Sequence, residues 1–166
     1  MLNLEALEKR LRRLEAESEI RRLKARYLNG CDAKDAESVR ACFTEDAVLN
    51  YAPMGCFTLD EMISLFTTIA VQSKIIDKHQ GHNAEIEILS ATTARGIWSL
   101  DFSTYDPDTG QFRLMNGRYE DQYVRTPQGW RIASSCHKPR MIIEAVLADQ
   151  KLAVQNIALY NGGLPA

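Results

Sequence analysis

The chain has 166 residues, 45% hydrophobic and 25% charged, with a formal net charge of -2. That size and balance fit one globular domain with a full core, and charges of both signs spread along the chain leave no basic stripe for nucleic acid. No apolar run approaches the ~20 residues of a membrane span, and the charged N-terminus MLNLEALEKRLRRLEAE lacks the apolar stretch of a signal peptide, so a cytoplasmic protein without a membrane partner is expected.

The first thirty residues carry no Gly or Pro before Gly30 and read as helical. Leu4, Leu7, Leu11 and Leu14 form a narrow apolar seam, two heptads long and too short for an independent coiled coil. A new face begins at Ala16 and runs through Ile20, Leu23 and Tyr27. The change of register predicts two helices, or one kinked helix, meeting near Glu17–Ser18, with residues 1–17 as an extension packed on the domain or on a neighbouring subunit. Asn29-Gly30 is the expected C-cap. A short helix follows over Asp35–Phe43, then a brief strand over Ala47–Tyr51 and a loop at Pro53 and Gly55. Thr58 and Glu61 make a capping box for a helix whose core face is Met62, Leu65, Phe66 and Ile69.

From Lys78 the apolar period changes from 3.6 to 2. Four strands are expected, over Lys78–Leu89, Thr92–Tyr105, Gln111–Arg125 and Trp130–Lys138, joined by turns at Ser90-Ala91, Asp106–Gly110 and Thr126–Gly129. Arg140 to about Gln155 reads as a helix, and a mobile tail is expected from about residue 157. Helices followed by a long meander make an α+β domain, with helices on one face of a curved antiparallel sheet. Such a sheet encloses a concave cavity, the usual seat of a small ligand. Trp98, Leu100 and Phe102 share one strand face, and so do Trp130, Ile132 and Ser134; Tyr119, Asp121 and Tyr123 share another. With Phe66 and His137, the residues Trp98, Leu100, Phe102 and Ile132 are candidate walls of that cavity.

Cys31, Cys42, Cys56 and Cys136 are scattered with no CxxC pair. They read as reduced thiols, and the spacing asks for no metal and no cofactor. Three other residues carry chemistry. Tyr27 lies on the apolar face of its helix, Asp32 follows the Gly30 turn, and His79 opens the first long strand. A carboxylate beside an imidazole fixes its tautomer and makes it a base able to take a proton from carbon, and a tyrosine hydroxyl can donate to a leaving group. Each also has a plain reading: a core tyrosine, a helix cap and a polar strand end. His137 reads equally as a structural histidine, and Asp101 as an exposed strand carboxylate.

The segments KARYLNGCD, CFTEDA, HQGHN and GRYEDQY…GWRI, in this order of elements, resemble the SnoaL-like branch of the nuclear transport factor two-like superfamily over essentially the whole chain. Within it the chain is similar to bile-acid dehydratases and lindane dehydrochlorinase. The resemblance implies a cone fold with helices packed on the concave face of the sheet, and a trimer or dimer of identical chains. It also implies proton abstraction by His79 supported by Asp32, with Tyr27 alongside, and loss of water or chloride; His82 is the secondary candidate. Two departures bear on substrate. A strand carboxylate of the bile-acid enzymes aligns with Phe102, while Asp101 should face the other way. The family arginine falls between Pro139 and Arg140. The expected ligand is therefore an apolar, ring-containing small molecule other than a bile acid. The rival expectations are a non-catalytic binding module and a small subunit of a ring-hydroxylating oxygenase.

Overall fold

The computed structural model describes residues 3–161 and 164–165. One continuous helix, α1 (Leu4–Asp32), opens the chain, with Asn3 Oδ1 accepting from the Ala6 N–H at its start. The expected break near Glu17–Ser18 does not occur, because no residue there interrupts the backbone ladder. The change of register marks a change of surroundings instead. Leu4, Leu7, Leu11 and Leu14 stand exposed, whereas Ala16, Ile20, Leu23 and Tyr27 are buried. Gly30 does not end the helix either. It is buried in the last full turn, where a Cβ would stand 3.2 Å from Val39 Cγ2, and the left-handed residue is Lys34, at φ 59.

Asp35 caps α2 (Ala36–Arg40), its Oδ1 accepting from the Ser38 N–H. This helix stops short of the expected end, because Phe43 is already taken into β1 (Phe43–Tyr51). A tight turn at Pro53 leads to β2 (Gly55–Thr58). The Thr58–Glu61 capping box forms as expected and opens α3 (Leu59–Phe66), which buries Met62 and half-buries Leu65 and Phe66. Ile69 falls beyond α3, in a π turn over 67–71, and is exposed.

The meander is β3 (Ile76–Ile88), β4 (Thr93–Tyr105), β5 (Gln111–Thr126) and β6 (Gly129–Ala148). The helix expected from Arg140 is a correction: β6 continues as strand to Ala148 and hairpins into β7 (Lys151–Asn161). Asp149 and Gln150 both hold positive φ, 50 and 61, the backbone of a two-residue primed hairpin turn. Ala, Leu, Glu and Gln favour a helix locally, but Ile142, Ile143 and Val146 suit a strand, and β5 and β7 offer ladder partners on both sides. Tertiary pairing overrides the local preference. The expected mobile tail is corrected likewise: residues 157–161 are paired in β7, and Leu164–Pro165 (β8) pair back onto its end. Residues 162, 163 and 166 lie outside the described residues.

The sheet order is β2–β1–β6–β5–β4–β3, with β7 beside the far half of β6. The β1–β6 pair is parallel, and every other pair is antiparallel. Register shifts leave extra residues on β1, β3, β6 and β7, and each such bulge bends its strand, so the sheet curls around α1 and α3 as the helix-lined cone predicts. The core lies between the concave face and these helices. Among the described residues, no helix is long and apolar enough to cross a membrane.

Candidate active site

The inner face of α1 carries Lys24, Tyr27, Leu28, Cys31 and Asp32, at the 3–4 spacing that puts side chains on one stripe of a helix. Asp32, the last residue of α1, reaches the start of β3. Its carboxylate accepts from the His79 backbone N–H at 3.0 and 3.2 Å, and its Oδ1 lies 2.6 Å from His79 Nδ1. This pairing holds the proton on Nδ1 and leaves Nε2 as the free ring nitrogen. The Phe102 ring lies against the imidazole, with centroids 4.2 Å apart. Asp101, on the opposite face of β4, meets His82 Nε2 at 2.9 Å on the exposed side of the sheet. The fold thus brings His79 and Asp32 together and sends His82 and Asp101 elsewhere.

Tyr27 is buried, and its hydroxyl lies 3.0 Å from that of Tyr51. Burial, reinforced by the Tyr119 and Tyr51 phenols, pushes the Tyr27 hydroxyl well above its ordinary pKa, so it stays a proton donor at neutral pH. Burial also pushes the Cys31 thiol up to about 12, which removes it as a thiolate nucleophile.

Tyr27, Tyr51, His79 and His137 line one cavity of about 490 Å³ with an apolar wall that includes Met62, Phe66, Leu100 and Phe102. Of the expected wall residues, Trp98 and Ile132 are instead buried in the core behind it. A bulge in β6 follows Ile132, which opposes Tyr123 while Ser134 opposes Gln122. The extra residue, Ala133, turns Ser134 outward and corrects its expected sharing of a face with Trp130 and Ile132. The same bulge brings Ser135 and His137 inside. There His137 Nδ1 lies 3.3 Å from the Ala52 carbonyl oxygen, and burial pushes its pKa down to about 4, so this ring is neutral at pH 7.

The strand ladder arranges the far wall of the cavity in two rows. His79, Phe102, Met115, Ile142 and Ala158 are successive cross-strand partners, and all line the cavity. One pleat further along, Asp77, Thr104, Arg113, Glu144 and Asn156 form a second, polar row that also lines it. Sequence reasoning missed Ile142, Glu144, Asn156 and Ala158, because it placed that segment in a helix and a tail. Arg113 and Met115 were legible from the strand alternation of 111–125. Tyr51 alternates with the buried Leu49 on β1 and could have been found the same way.

Beneath the tyrosines lies a buried polar network. Lys24 Nζ donates to Asp121 Oδ2 at 2.8 Å, Tyr123 donates to the same oxygen at 2.8 Å, and Ser135 donates to Oδ1 at 2.7 Å. Trp98 Nε1 donates to the Tyr123 hydroxyl. The Lys24 ammonium also sits 3.6 Å from the Tyr119 ring centroid and 5.0 Å from that of Tyr27. Burial lowers the lysine's pKa, and Asp121 opposes that shift.

A model of the SnoaL-like domain matches residues 12–135. Among solved structures, a candidate scytalone dehydratase from Novosphingobium aromaticivorans superposes with a TM-score of 0.73 at 20% identity, covering 87% of this chain and 94% of that one. A hexachlorocyclohexane dehydrochlorinase from Novosphingobium barchaimii does so with a TM-score of 0.70 at 18% identity, covering 87% and 93%. A candidate aromatic ring hydroxylase from Novosphingobium aromaticivorans gives 0.69 at 21% identity, covering 86% and 94%. At these identities the likeness establishes the shared fold.

Proposed function

The chain belongs to the SnoaL-like domain family, and from that premise we propose that it is a cofactor-free lyase acting on an apolar, ring-containing small molecule. The observation that carries this reading is the 2.6 Å Asp32–His79 contact at the wall of the cavity. With Nδ1 held by the carboxylate, His79 Nε2 takes a proton from a substrate carbon. The electrons of the broken C–H bond form a double bond to the neighbouring carbon, and a hydroxyl or halide leaves from it. Tyr27 donates a proton or a hydrogen bond to the departing group, or holds an enolate oxygen in place. An isomerase is the close variant, in which the same base returns the proton to another carbon. A product lighter by water or hydrogen halide identifies the lyase, and an unchanged mass the isomerase.

Nitrogen NMR of the histidine rings tests the dyad without a substrate. In the wild-type protein the His79 ring should be predominantly the Nδ1–H tautomer, and Asp32→Asn should redistribute its proton between the two nitrogens. A tautomer balance indifferent to that substitution would remove the basis for the catalytic reading. The packing of Phe102 against the imidazole favours a second reading, a binding module in which His79 contacts ligand without turning it over. A structural role beside an oxygenase would instead show as a co-purifying partner.

We also propose that the chain acts as a homo-oligomer, a trimer or dimer. The support is apolar surface that the chain itself leaves open: the leucine seam of α1, and Leu152, Val154, Ile157 and Leu159 on β7. Exposed apolar area on this scale marks contact surfaces. Sizing of a chain beginning at Ser18 should show a smaller or weaker assembly, and an unchanged one would exclude the seam.

A further inference from the structure

We propose that the polar row beyond His79 is a second subsite, one that takes an uncharged hydrogen-bonding group, a hydroxyl or a carbonyl, at the far end of the ligand. The inference rests on the catalytic reading above for what happens at His79, and adds a requirement on the opposite end of the molecule.

The row stands on the same inner face as His79, one pleat along the strands. Its charges are matched in place. Arg113 Nε and Nη2 both donate to Glu144 Oε1, at 3.2 and 2.6 Å, and Asn156 Nδ2 donates to Glu144 Oε2 at 3.2 Å. Asp77 pairs with Lys34. A single charge added to this row would find no unmatched partner, so a charged ligand group is disfavoured. Hydrogen-bonding capacity does remain: among the described residues, Arg113 Nη1, Thr104 Oγ1 and Asn156 Oδ1 have no side-chain partner. These groups offer donors and an acceptor together, the complement of a hydroxyl or carbonyl. The row before it, Phe102, Met115, Ile142 and Ala158, is wholly apolar.

A ligand reaching from His79 to this row must therefore be apolar in its middle and polar at its far end. Arg113 lies two strands over and one pleat along from His79, about 12 Å between backbone positions by strand geometry. Two linked rings cover what the converging side chains leave of that distance. Glu144 and Asn156 lie beyond the residues 12–135 matched by the family model, so the subsite belongs to the part of the chain that this match does not describe.

The test compares two probes by calorimetric titration: a biphenyl with one terminal hydroxyl, and the biphenyldiol with hydroxyls at both ends. The wild-type protein should bind the diol about tenfold more tightly, the scale of two ordinary hydrogen bonds, made here to Thr104 and Asn156. The double variant Thr104→Val and Asn156→Leu exchanges polar atoms for apolar ones of similar shape. It should reduce the preference to less than about threefold and leave the mono-hydroxyl probe within about twofold of wild type. Equal binding of the two probes by wild type, equal loss of both in the variant, or binding of neither at millimolar concentration would overturn the proposal. His79→Ala should retain the preference for the diol. A failure of the catalytic reading thus shows in turnover and in the histidine tautomer, while a failure of the subsite shows only in the ratio of the two probes.

Discussion

His79→Ala is expected to lower turnover by at least about a hundredfold, the scale of a positioned general base. The ring is the one imidazole that combines a carboxylate on Nδ1 with a place on the cavity wall. His82 is paired on the exposed side of the sheet. Among the described residues His137 has no carboxylate partner, and its burial makes it a poor base, with a pKa pushed down to about 4. Asp32→Asn should produce a smaller loss than His79→Ala, because the imidazole survives but its tautomer is no longer held. Steady-state rates at saturating substrate, with ligand affinity measured in parallel, separate the chemical step from binding. A loss below about tenfold in His79→Ala, with binding unchanged, would assign the cavity to ligand binding and move the chemistry away from the dyad.

Asp121→Ala is expected to destabilise the fold by about 3–5 kcal/mol, the cost of breaking a buried ion pair from one side. Lys24 and Asp121 are fully buried, and the aspartate also satisfies the hydroxyls of Tyr123 and Ser135. Removing the carboxylate strands one ammonium and two hydroxyls at once. Lys24→Met should cost less, because the remaining carboxylate keeps both hydroxyl donors and the methionine fills the lysine's place. Urea denaturation followed by tryptophan fluorescence measures both, since Trp98 donates to Tyr123 within the same network. A loss under about 1 kcal/mol for Asp121→Ala would mean that the lysine finds other partners or gives up its proton cheaply. The network also bears on function. Lys24 lies one turn before Tyr27 and packs on the rings of Tyr27 and Tyr119, so it seats the segment of α1 that ends at Asp32.

Much of this arrangement was legible from local pattern. The face Ala16, Ile20, Leu23 and Tyr27, the Thr58–Glu61 capping box and the alternation of Leu100 with Phe102 are short-range regularities. Backbone geometry converts these directly into burial, caps and strand faces. The meander followed for the same reason, because each hairpin turn lies within the few residues that make it. What remained hidden depends on partners far away in the chain. The segment after Arg140 has good helix formers, and only the edges of β5 and β7 draw it into strand. The bulge at Ala133 is a mismatch between two strands, invisible in either one, and it decides that His137 faces inward and Ser134 outward.

The sequence by itself therefore determined the fold class, the helix faces and the kinds of residue available for acid–base chemistry, since these rest on spacing along one element. Tertiary structure alone decided that Asp32 and His79, 47 positions apart, stand 2.6 Å from each other. It also decided that Lys24 is buried against Asp121 and that a polar row lines one side of the cavity. Contacts across a curved sheet depend on register and bulges, and those are settled only when every strand has taken its partner.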